Sequence, residues 1–76
     1  MANLVDANGK LMSRDALKGF IAAYNAGNRG AKEFAAIPRA LVIVMDNLTV
    51  GKTTYVKCAD GTAQLARRKD KTIATL

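Results

Sequence analysis

The sequence predicts an α+β domain in which one amphipathic helix packs on a strongly bent antiparallel sheet of about four strands. Three observations carry that expectation. One stretch in the first half repeats its apolar residues at helical spacing, and the second half is β-branched and punctuated by turn dipeptides. The chain has 76 residues, 50% of them hydrophobic, which suffices for one core and no more.

Asn8-Gly9 favours a two-residue type I′ turn, whose two central positions both need positive φ. Residues 4–5 and 10–12 are therefore expected to form a short hairpin. Ser13 follows as an N-cap, and Asp15 stands in the first turn, where the helix dipole favours negative charge. Leu17, Phe20, Ile21 and Tyr24 fall at i, i+3, i+4 and i+7, the spacing of one buried stripe, so a helix is predicted over residues 14–26. Residues 25–30 stop it with two glycines. Residues 31–36 can add a helical turn, which Pro38 ends by pushing Ile37 toward extended backbone.

Beyond Pro38 the pattern changes. Residues 40–45 are continuously apolar and β-branched, as in a strand covered on both faces. Residues 46–52 hold turn signals, and residues 53–59 are rich in Thr, Tyr and Val. Asp60-Gly61 marks a hairpin, residues 62–67 return, Lys69-Asp70-Lys71 turns, and residues 72–76 supply a last strand. One domain over 1–76 is expected, with a hairpin plus helix in 1–38 and an antiparallel meander in 39–76. Its core should include Leu17, Phe20, Ile21, Phe34, Leu41, Ile43, Val50, Val56 and Leu65.

Twelve Lys and Arg against six Asp and Glu give a net charge of +6, a balance that favours acidic partners. Cys58 is the single cysteine, no signal-peptide pattern follows Met1, and no apolar run approaches the ~20 residues of a membrane span. A cytoplasmic protein without a membrane partner is the expectation.

Two familiar motifs fail on inspection. Gly51-Lys52-Thr53-Thr54 looks like the end of a phosphate-binding loop, but Asp46 stands where its first glycine belongs and a strand follows instead of a helix. Asp6, Asn8, Gly9 and Asp15 imitate a calcium loop counted from Leu4, which puts leucine at the first ligand position. A turn followed by a capped helix explains the same four residues.

Catalysis has little to stand on. The chain has no histidine, the usual general base and commonest metal ligand. Cys58 alternates with Val56, as a buried thiol would, and the carboxylates are scattered. No catalytic residue, metal ligand or cofactor is expected, and the chain reads as a non-enzyme.

The candidate binding residues are basic. Arg67, Arg68, Lys69 and Lys71 form the densest charge, and Lys52 and Lys57 on the neighbouring strand extend it. Tyr55 is the aromatic residue left over for stacking, because Phe20 and Tyr24 lie on the helix stripe. The same charges would also keep an edge strand from aggregating.

The string Asp46-Asn47-Leu48-Thr49-Val50-Gly51-Lys52, then Tyr55-Val56, then Ala59-Asp60-Gly61, resembles SH3-like barrel segments of small bacterial and phage proteins. That resemblance implies a non-enzymatic binding module with a protein partner. In style the chain resembles small phage regulators or inhibitors that dock on a host protein. Two other classes fit the same residues. One is a sequence-nonspecific nucleic-acid-binding protein working through the basic patch, and the other is a small structural or virion assembly protein.

Overall fold

The helix predicted over 14–26 is present as α1 (Arg14–Ala26), and its ends are closed as its residue types dictate. The Ser13 hydroxyl accepts from the Ala16 amide at 3.3 Å. Gly27 takes the left-handed conformation at φ 72° and donates its N–H to the Tyr24 carbonyl. Leu17 and Ile21 are buried on the inner stripe, with Phe20 and Tyr24 half-buried beside them.

The computed structural model describes residues 2–76 and is α+β, with helices on one face of an open, mixed, four-stranded sheet. After β1 (Ala2–Asn3) and α1 come α2 (Lys32–Ala35), α3 (Arg39–Asn47), β2 (Thr53–Cys58), β3 (Gly61–Arg67) and β4 (Ile73–Thr75). The strands lie in the order β1-β2-β3-β4, with β2, β3 and β4 antiparallel. β1 runs parallel to β2, which corrects the all-antiparallel expectation. The helices intervene between these two strands and provide the long crossover that parallel pairing needs.

Residues 40–45, expected as a strand, are helical within α3. Leu41, Met45 and Leu48 are buried at i, i+4 and i+7, while Ile43 is 52% exposed. The helical period was hidden inside a run in which every residue is apolar. Pro38 also serves α3, since its carbonyl accepts from the amides of Leu41 and Val42 at 3.0 and 3.1 Å. The expectation of one helix thus gives way, among the described residues, to two of substantial length and a short third.

Both turns also differ in detail. Near the N-terminus the Gly9 amide donates to the Asp6 carbonyl at 3.0 Å, so Ala7 and Asn8 are the central residues. Gly9 has φ 79° and Asn8 does not join it in the positive region, so no type I′ turn forms. The Asp6 carboxylate accepts from the amides of Asn8 and Lys10 and stabilises the shifted turn. Val5 still pairs with Leu11 across it. Between β2 and β3, Ala59 and Asp60 form the loop, flanked by the pair Cys58 and Gly61.

Of the expected core, Leu17, Ile21, Leu41, Val56 and Leu65 are buried, and Phe20 and Phe34 pack partly against it. Val50, like Ile43, lies outside at 50% exposure, because it sits in the turn before β2. Leu4, Ile37, Met45, Leu48, Cys58, Ala63 and Ile73 complete the core between sheet and helices.

Candidate binding surface

Strand alternation divides β2 cleanly. Val56 and Cys58 point into the core, and Thr53, Tyr55 and Lys57 are exposed on the opposite face. The register sets Gln64 beside Tyr55 and Thr62 beside Lys57 on β3, and Asn3 beside Lys57 on β1. The result is a polar sheet face centred on Tyr55, which is 50% exposed. Lys57 brings the one charge among these side chains.

The remaining predicted cations gather at the far end of the sheet. Arg68, Lys69 and Lys71 belong to the β3–β4 turn and are exposed. Lys52 joins them, because its carbonyl accepts from the Arg67 amide at 3.2 Å. The turn is firmly built. The Lys71 amide donates to the Arg68 carbonyl at 2.9 Å. The Asp70 carboxylate accepts from the Thr72 amide at 3.0 Å and the Thr72 hydroxyl at 2.6 Å. These last two bonds, the hydroxyl first, hold the Asp70 carboxyl below the usual carboxylate range. Lys71 has φ 72° and is the one non-glycine residue at positive φ among the described residues.

Arg67 does not belong to this surface. It follows Ala63 and Leu65 on the inner face of β3, and its guanidinium reaches under the sheet. Nε donates to the Leu48 carbonyl at 2.9 Å, and the terminal nitrogens donate to the carbonyls of Met45 and Lys71 and to the Tyr24 hydroxyl. Met45 and Leu48 lie at the end of α3, where a cation is favoured. The Met45 carbonyl accepts from the Leu48 amide at 3.1 Å as well as from Arg67. Reading Arg67 as a phosphate contact is therefore corrected. Its i, i+2, i+4 relation to Leu65 and Ala63 was the signal available in the sequence.

A compact polar knot surrounds it. The Arg67 guanidinium lies 5.6 Å over the Tyr24 ring, which stacks at 6.3 Å on Phe34. Arg29 covers Phe34 at 5.1 Å and pairs with Asp46 at 3.1 Å. The Tyr24 hydroxyl donates to Asp46 at 2.6 Å. That bond first, and then Arg29, holds the Asp46 carboxyl below its ordinary range.

At the opposite end of the sheet, Asp60 accepts from the Arg14 amide at 2.9 Å and so docks the β2–β3 loop on the start of α1. This bond lowers the Asp60 carboxyl in turn. Burial pushes the Cys58 thiol up, which keeps it protonated and inert. Comparison with family models, curated proteins and solved structures finds no match. Among the described residues no helix is long and apolar enough to cross a membrane.

Proposed function

We propose that the chain is a non-enzymatic binding module that docks on a protein partner through the uncovered face of β2 and β3. The observation that carries this reading is the half-exposed Tyr55 set among Asn3, Thr53, Thr62 and Gln64, with Lys57 and Lys52 toward the two ends of β2. Tyrosine anchors are enriched at interface centres, where a polar rim excludes water around them. Lys57 shares this face and suits an acidic group on the partner's rim, whereas Lys52 precedes β2 at the basic end of the sheet. The SH3-like string supports the same class, and a phage-type regulator of a host protein is one form it would take.

The test is retention from nuclease-treated lysate on immobilised protein, with wild type compared with Tyr55→Ala and Lys57→Glu. The reading predicts a discrete protein band at low salt that both variants lose. An empty eluate, or a band indifferent to both substitutions, would remove it.

A second reading has its own support. Lys52, Arg68, Lys69 and Lys71 converge at one end of the sheet and could contact phosphates. If three or four did so on duplex DNA, log affinity would fall against log salt with a slope of about −3 to −4. A titration of labelled duplex across salt separates the readings, since absence of binding at low salt leaves these cations as the rim of a protein interface.

A further inference from the structure

Beside the basic end lies a shallow groove of about 380 Å³, lined by Leu48, Thr49 and Val50 with Asp46, Arg67 and Lys71. Of the two apolar residues in its wall, Val50 is presented, at half exposure, while Leu48 is buried in the core behind it. The wall is also rigid. The Gly51 amide donates to the Arg67 carbonyl at 3.1 Å, and the Lys52 amide donates to the Thr49 carbonyl at 3.0 Å, so a closed turn carries Val50. Gly51 is at φ 81°, a conformation that leaves little freedom for another residue there.

The charges that line the groove are mixed, but Asp46 and Arg67 are already partnered, which leaves Lys71 as the charge open to a ligand. Asp46 is engaged by Tyr24 and Arg29, and Arg67 stands behind the floor. Lys71 lines the opening, and Lys52, Arg68 and Lys69 lie exposed beyond it on the same end of the sheet.

We infer that this groove receives an acidic segment of the protein partner, one aliphatic side chain lying against Val50 while flanking carboxylates meet Lys71 and the lysines beyond it. The inference rests on the protein-binding reading above and names the chemistry of the partner. Charge complementarity with Lys71, Lys52, Arg68 and Lys69 selects the acidic segment, and an apolar residue within it would cover Val50. A nucleic-acid strand would meet the cations and leave Val50 uncovered.

The test is an amide-resolved NMR titration of the full chain with a capped peptide, Glu-Asp-Glu-Leu-Asp-Glu-Glu, and with its serine counterpart at the leucine. The leucine peptide should give saturable shifts at Thr49, Val50 and Lys71. The serine peptide should bind about tenfold more weakly, the order expected for losing one buried leucine. Val50→Glu, an exposed position whose retained fold the same spectra report, should weaken binding at least as much. Lys71→Glu should weaken it several-fold. Equal binding of the two peptides, or shifts confined to the lysines, would overturn the inference. So would displacement of the leucine peptide by an equally charged oligothymidine at equal concentration, or filling of the groove by a second copy without peptide.

Failure here is distinguishable from failure of the broader reading. If Val50→Glu still retains the lysate partner while Tyr55→Ala loses it, the groove falls and the docking face stands. If wild type retains no protein, the broader reading falls whatever the peptide does.

Discussion

The Nε of Arg67 lies 2.9 Å from the carbonyl oxygen of Leu48, and this hydrogen bond fastens the inner face of β3 to the end of α3. Two adjacent arginines consequently have opposite roles. Arg67 holds helix, sheet and the β3–β4 turn together, whereas Arg68 faces solvent. Hydrogen bonds to charged groups contribute about 1.5–3 kcal/mol each, with strong non-additivity within one side chain. Arg67→Met is therefore expected to cost about 2–3 kcal/mol in urea denaturation, and Arg68→Ala no more than about 0.5 kcal/mol. Equal effects would refute the division of labour.

α3 makes a similarly sharp contrast. Leu41 is fully buried and Ile43 is 52% exposed, although the two lie two residues apart and would share a face of a strand. Leu41→Ala should cost about 2–5 kcal/mol and Ile43→Ala less than about 1 kcal/mol. Similar losses at both positions would restore the strand that residues 40–45 suggest. Phe20, packed only partly against the core, should cost less than the 3–5 kcal/mol typical of a buried phenylalanine.

These contrasts mark what could be read from residue types. α1 was legible because Ser13, the Leu17–Phe20–Ile21–Tyr24 stripe and Gly27 all agree on one helix. The β2–β3 hairpin was legible through alternation and Asp60-Gly61. α3 was not, because periodicity cannot register in a run where each residue is apolar. The parallel β1 depends on the crossover, a tertiary fact no local pattern encodes. In the candidate surface, Tyr55 and five cations are exposed as expected, while Arg67 misled because charge was weighed ahead of its place in the alternation.

Asn25 closes the outer edge of the sheet. Its carboxamide accepts from the Ile73 amide and donates to the Ile73 carbonyl, both at 2.9 Å, as a neighbouring strand would. Asn25→Ala should remove about 1–2 kcal/mol and uncover part of the β4 edge for pairing with another copy. Sedimentation across concentration should find the variant more self-associated than wild type. Identical sedimentation would show that Asn25 does not guard the edge.

Acid should destabilise the fold through Asp46, Asp60 and Asp70. All three are held below their ordinary value, by the Tyr24 hydroxyl, the Arg14 amide and the Thr72 side chain respectively. A depressed carboxyl contributes stability that is present above its unfolded value of about 3.9 and is lost as pH falls through the folded value. The melting temperature should therefore drop below about pH 4. Asp46→Asn should lower stability at neutral pH and make the acid drop shallower. An unchanged acid profile in that variant would remove Asp46 from the account.

The central claim is that the face around Tyr55 meets a protein. The most direct measurement places a photo-crosslinking residue at Tyr55 in one variant and at Ala22, on the exposed side of α1, in another. Each is irradiated in cells and resolved by mass. The account predicts one protein adduct from position 55 that position 22 does not give. Nucleic-acid adducts alone at position 55, or the same adducts from both positions, would contradict it.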